Sequence, residues 1–369
     1  MNRTAAMATL VTAAFAAQAS AVDFFHLGTI DYAALGAQAP GSVAIEGNTL
    51  YTGGLFGGGV LTTVTDIFGT PTVSNTAGSA ALAGNGFVSI DTGPEYVVAA
   101  TNNAGGGLDN VEIFDKSGNL VSALTEADFG FSRVDGVAYD PGDAAGGGAG
   151  WVVLTRGGSR TLFDLSNPAA PALLDNSASL WNPDAGSGYR DIDIADNGDL
   201  YVINDEGLSR GTRVGPHNFQ TLGGGAGTQQ IWDKELTFQS AVNTAALYDF
   251  NGDGNNYLIL SQRFSGFSGG PVATDNMFVI DADVDNSVPK YAGVANPADF
   301  MTGDGSAQFV FAAAGNTIYD FSYDEANKVL AIADNQNGLV YLFGGTAVPA
   351  PASASLIALG LLGLARRGS

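Results

Sequence analysis

The apolar residues of this chain come in short runs, each closed off by Gly, Asn, Asp or Pro. Ser42-Val-Ala-Ile-Glu-Gly-Asn-Thr-Leu-Tyr51 reads as two strands joined through Glu46-Gly47-Asn48. Phe87 to Ala100 has the same shape about a turn at Asp91 to Glu95, and Gly136 to Pro141 leads through a Gly/Ala-rich loop to Gly150 to Thr155. Arg190 to Ile203 is the clearest copy, with Asn197-Gly198 as its hairpin signal. Ala246 to Leu260 and Ile318 to Ile332 repeat it. A third apolar run follows several hairpins: Val111 to Asp115, Thr161 to Leu165, Met277 to Asp281 and Leu339 to Phe343. No helical period of apolar residues persists in the body, so helix is expected only as a short piece around Leu124 to Asp128.

A hairpin followed by an outer strand, recurring every roughly 45–70 residues, is the pattern of a propeller blade. The sequence therefore predicts an all-β fold, a β-propeller with six blades and with seven as the near alternative. A pair of β-sandwiches is the other open architecture. Val22 to Ile30 is expected to pair with the last blade, because a radial array of sheets keeps an exposed edge unless its two ends meet.

Both termini differ from this body. Arg3, the small and apolar stretch Ala5 to Ala17, and the A-x-A site Ala19-Ser20-Ala21 predict a signal helix over residues 1–21, cleaved after Ala21. Residues 347–369 hold Pro349-Ala350-Pro351, the apolar segment Ala352 to Ala365, and Arg366-Arg367. As a helix that segment is about 21 Å long, short of the roughly 30 Å core of a bilayer. The two arginines stay on the cytoplasmic side. The tail reads as an address that meets the membrane transiently, with a plain C-terminal anchor as the alternative. Its layout resembles the PEP-CTERM sorting signal of exported bacterial proteins, whose usual Glu is replaced here by Ala350. The resemblance implies an exosortase-type processing enzyme as partner and exopolysaccharide or another matrix component as associate. It also implies a location in the matrix, at the cell surface or in the outer envelope. Residues 22–346 remain as the propeller domain.

Composition narrows the body further. There is no cysteine, so disulfides and thiolate metal sites are excluded. The formal net charge is −23, and it becomes three units more negative once Arg3, Arg366 and Arg367 leave. Such a surface repels nucleic acid and attracts cations. The 52 glycines lack a collagen period and point to many turns.

Chemistry candidates are few. Asp249, Asn251, Asp253 and Asn255 alternate in a tight Gly-rich turn, a spacing that suits Ca²⁺, although Leu260 stands where an EF-hand places its bidentate Glu. The segment resembles the Ca²⁺ loops of FG-GAP-type hairpins; an Asx-capped turn is the competing reading. Asp281, Asp283 and Asp285 have the same spacing at a strand end and form a weaker metal candidate beside a solvated edge. Asp191, Asp193, Asp196 and Asp199 make a third acidic hairpin, read as turn-rich surface in preference to channel lining. His26 reads as a packed strand residue and His217 as plain surface. No nucleophile elbow, HExxH or P-loop pattern occurs, so no catalytic residue is assigned. Arg156, Arg160, Arg190, Arg210 and Arg213 read as partners of nearby carboxylates, with an anion-binding face as the alternative.

The body units look like those of secreted six-bladed propellers of the NHL, gluconolactonase-like and phytase-like groups. The closest stretch is Val134 to Asp140 followed by Trp151 to Arg156. The reading is an exported, non-catalytic propeller of the surface or matrix. A propeller hydrolase (phosphoesterase, lactonase or glycan-active) is one alternative. The other is a carbohydrate-binding propeller using Trp181, Tyr189 and Trp232.

Overall fold

The structure is a computed structural model that describes residues 24–54, 59–79, 86–101, 109–129, 134–142, 150–155, 160–175, 189–195, 197–204, 207–215, 218–220, 229–233, 240–250, 252, 254, 256–263, 276–281 and 319–345. The signal helix expected over 1–21, with Ala19 and Ala21 of its expected cleavage site, lies outside them, as does the tail with Pro349, Ala350, Pro351, Arg366 and Arg367. Among the described residues no helix is long and apolar enough to cross a membrane.

The first strand, β1 (Phe25–Asp31), belongs to the last sheet. Blade 1 is β2 (Ser42–Glu46), β3 (Thr49–Gly53), β4 (Val60–Thr65) and β5 (Thr72–Ala77). Blade 2 is β6 (Phe87–Thr92), β7 (Tyr96–Thr101), β8 (Asp109–Asp115) and β9 (Leu120–Thr125), followed by the single turn α1 (Glu126–Phe129). Blade 3 is β10 (Val134–Asp140), β11 (Gly150–Thr155), β12 (Arg160–Asp164) and β13 (Ala172–Asp175). Blade 4 is β14 (Tyr189–Ile194), β15 (Asp199–Asn204), β16 (Gly207–Gly215) and β17 (Asn218–Gln220), with β18 (Gln229–Asp233) also on β16. Blade 5 shows β19 (Ser240–Tyr248), β20 (Asn256–Arg263) and β21 (Asn276–Asp281). Blade 6 is β22 (Tyr319–Asp324), β23 (Val329–Asp334) and β24 (Leu339–Gly344), completed by β1.

The six inner strands β2, β6, β10, β14, β19 and β22 are neighbours in that order, and β22 returns to β2. The described strands thus form a closed ring of six blades. Closure uses the expected strand: β1 runs antiparallel to β24, Ile30 opposite Val340 and Asp31 opposite Leu339, with a bulge between His26 and Gly28. His26 is only in part the packed strand residue expected, its ring 5.8 Å from that of Phe343. It sits on the outer strand, exposed, with Nε2 3.0 Å from Thr29 Oγ1, because the outermost strand has only one covered face.

Burial explains why the apolar runs are continuous. Residues along a middle strand alternate between the blade before and the blade after. In β23, Leu330 and Ile332 join a cluster with Leu247, Ile259 and Phe343, while Val329, Ala331 and Ala333 pack with Val43, Ile45 and Leu50. Every residue of β23 is therefore buried, whereas β5 on an outer edge is mostly exposed. The turns follow their chemistry: Gly47 (φ +58°) and Gly198 (φ +85°) take the left-handed backbone that their hairpins need.

Candidate functional site

Two polar regions can be built from the described residues. The first is the central channel. Side chains at alternate positions of one inner strand reach the backbone of the next. Asp320 accepts from Val43 N–H at 2.7 Å, Ser322 from Ile45 N–H at 3.1 Å and Asp324 from Gly47 N–H at 2.5 Å. Blade 2 does the same to blade 3, Ser89 Oγ accepting from Val137 N–H at 3.2 Å and Asp91 from Tyr139 N–H at 2.6 Å. Blade 4 repeats it on blade 5, with Asp191 to Thr244 N–H at 2.8 Å and Asp193 to Ala246 N–H at 2.5 Å. Inner strands meet at an angle that leaves these amides without a ladder partner, so a short acidic or hydroxyl side chain supplies one. Asp191 and Asp193 are thus channel-lining residues and not the turn surface read from the sequence. The alternation that puts Ile192 and Ile194 against blade 3 turns their neighbours inward.

Asp91, Asp191, Asp193 and Asp320 line a cavity of about 50 Å³ in the channel. Burial pushes the Asp91 carboxyl up to about 7, with the Asp193 charge adding to it. Burial likewise raises Asp320 to about 8 and lifts Asp191, which also feels Asp320 across the channel. Their oxygens are occupied: Asp91 also accepts from Thr92 N–H and Asp193 from Ile194 N–H. Among the described residues no group of three or more His, Asp or Glu side chains has metal-binding spacing.

The second region lies on the rim between blades 2 and 3. The β6–β7 hairpin folds over the end of β10 and the start of β11, forming a cavity of about 220 Å³ with Tyr96, Tyr139, Trp151, Glu95 and Asp164 in its wall. The Tyr139 and Trp151 rings meet at 5.3 Å and 61°. Gly93 permits this approach, since a Cβ there would stand 2.6 Å from the Tyr139 ring and 2.9 Å from Trp151. Asp164 accepts from Ser166 N–H and Oγ, capping the turn after β12. Glu95 is exposed, with no hydrogen-bond or ion-pair partner among the described residues. Burial and the Glu95 charge both raise the Tyr139 phenol.

The sequence-derived metal candidates are only partly described. Asp249 lies in the β19–β20 turn at φ +49° and accepts from Gly254 N–H at 2.7 Å, while its other oxygen pairs with Lys328 Nζ from blade 6. Both contacts hold its carboxyl below the usual range. Asn251, Asp253 and Asn255 lie outside the described residues. Asp281 ends β21 at the place where Asp115 and Asp164 cap turns in their own blades; Asp283 and Asp285 lie outside. Arg160, Arg190, Arg210 and Arg213 fall on β12, β14 and β16, and Tyr189 and Trp232 on β14 and β18, but their side chains lie outside the described residues. Arg156, Trp181, Asp196 and His217 lie outside altogether. The rim site escaped sequence reading because its rings come from β7, β10 and β11 of two blades. The available signal was an aromatic at each strand end beside a Gly-Pro-Glu turn.

No family model matches the chain, and no curated protein matches it in sequence. Solved structures do resemble it. An auxiliary nutrient binding protein from Bacteroides thetaiotaomicron superposes with a TM-score of 0.51 at 11% identity, covering 83% of this chain and 69% of that one. A counterpart from Bacteroides ovatus gives 0.52 at 11% identity over 80% of this chain and 66% of its own length. The β-propeller domain of Myceliophteria thermophila Cps50 (Swd1) gives 0.51 at 10% identity, covering 88% of this chain and 100% of that domain. At these identities the likeness shows the fold: the chain is a β-propeller.

Proposed function

We propose that the protein is an exported, non-catalytic β-propeller of the cell surface or extracellular matrix, delivered by its N-terminal signal and sorted by its C-terminal tail. The observation that carries the non-catalytic part is the use of the channel carboxylates. A propeller hydrolase needs polar groups at the channel that are free to meet a substrate. Here Asp91, Asp191, Asp193 and Asp320 are spent on amides of their own and neighbouring blades. The nutrient-binding role named for the Bacteroides structures is in keeping with a propeller that binds a ligand.

The sorting part rests on Pro349-Ala350-Pro351, the apolar segment and Arg366-Arg367, with an exosortase-type enzyme as partner and exopolysaccharide as associated matrix. Ca²⁺ in the Asp249 loop belongs to the same proposal, and an ion there would compete with Lys328 for Asp249. The test is intact-mass and localisation analysis of the protein with and without residues 349–369. A processed C-terminus and a changed location on deletion are expected. An intact tail together with an unchanged location would remove the sorting role.

A further inference from the structure

The rim cavity between blades 2 and 3 opens on rings that pack on the hydrophobic cluster between these blades, Trp151 within it and Tyr96 and Tyr139 against it. Its wall carries three aromatic rings, Tyr96, Tyr139 and Trp151, and two carboxylates, Glu95 and Asp164, and none of the described residues lining it is basic. Asp164 has a local duty in its turn. Glu95 has none, and it stands exposed at the tip of a hairpin held close to the rings by Gly93. An exposed carboxylate beside aromatic rings, with no cation partner among the described residues, is half of a recognition site.

We propose that this cavity binds a small organic cation bearing an alkylated ammonium group, held against the faces of Tyr96 and Tyr139 and neutralised by Glu95, with Asp164 as the second anion. The physics favours a cation over the other small ligands. Ring faces carry the negative end of the aromatic quadrupole and attract an ammonium group within about 6 Å. Two carboxylates without a base repel phosphates, carboxylates and sulfates. The net charge of −23 raises the local concentration of cations around the whole molecule. A cavity of about 220 Å³ is smaller than the roughly 300–1,000 Å³ of drug-sized sites and suits one compact ligand. Trp151 is nearly buried and acts as the floor that fixes the Tyr139 ring at 61° to it. The inference goes beyond the sorting and matrix reading and does not depend on it.

The test is calorimetric titration of the purified full-length exported protein with choline, with its uncharged isostere 3,3-dimethylbutan-1-ol, and with glucose. Choline is expected to saturate one site, and the isostere to bind about tenfold more weakly or worse, the loss of the cation–ring and carboxylate attractions together. Glu95→Gln should weaken choline several-fold and Glu95→Lys should abolish it. Glu95 is exposed and makes no hydrogen bond or ion pair among the described residues, so circular dichroism and the melting temperature of both variants should stay close to the parent. No saturable choline binding would overturn the proposal. So would equal binding of the isostere, tighter binding of glucose than of choline, or unchanged choline affinity in Glu95→Lys.

Discussion

The channel and the rim between blades 2 and 3 are both acidic, yet their carboxylates do opposite things. In the channel Asp320 and Asp191 are buried, raised, and bonded across the blade boundary to Val43 and Thr244. On the rim Glu95 is exposed beside Tyr139, with no hydrogen bond among the described residues. Acid content alone therefore says little about chemistry in this fold. What separates the two regions among the described residues is that a backbone amide of the next blade stands opposite each channel carboxylate.

The sharpest way to break this contrast is to remove one carboxylate from each region. Asp320→Ala strips the Val43 N–H of its acceptor in a buried place and should cost about 1–3 kcal/mol in urea unfolding. Glu95→Ala should change stability by less than about 0.5 kcal/mol, as expected of an exposed residue without contacts. Equal losses would mean that the rim is as structural as the channel.

Next in size is Gly93→Ala, which forces a Cβ into the Tyr139 and Trp151 rings and should cost about 1–3 kcal/mol through overpacking. The same variant should lose the rim cavity, visible as a changed near-ultraviolet dichroism of the Tyr and Trp bands. A variant as stable as the parent with an unaltered spectrum would show that the hairpin has room to spare.

A further effect, spread over several groups, is in pH. Asp91, Asp191 and Asp320 hold their protons more tightly folded than unfolded, where a carboxyl titrates near about 3.9. The folded chain then binds more protons, so stability falls as pH rises from about 4 to about 8. Asp66, Asp115 and Asp249 are shifted the other way, so what they contribute is lost only below the ordinary carboxylate range. The melting temperature should be higher at pH 5.5 than at pH 8.5, and Asp320→Asn should flatten that slope. A melting temperature that rises across this interval would contradict the burial of the channel acids.

Much of this architecture is legible in the sequence, and for local reasons. Glu46-Gly47-Asn48 and Asn197-Gly198 specify turns by backbone chemistry, and the hairpins they join occur at Ser42 to Gly53 and Tyr189 to Asn204. Ring closure by the first strand is legible because six repeats leave one edge to cover. The role of Asp191 and Asp193 is not legible, since the same Asp-Ile-Asp alternation serves an exposed edge or a channel equally well. Nor is the rim site, whose residues lie on β7, β10, β11 and the turns beside them.

The sequence by itself determined the inner hairpins, their turn positions and a repeating blade pattern, because each depends on neighbours a few residues apart. Only the tertiary structure decided which carboxylates are used up. Asp320 meets Val43, 277 residues away, because the ring closes there, whereas Glu95 stands exposed at its hairpin tip with no hydrogen bond among the described residues. That difference arises from the packing of one blade on the next, which no local pattern encodes.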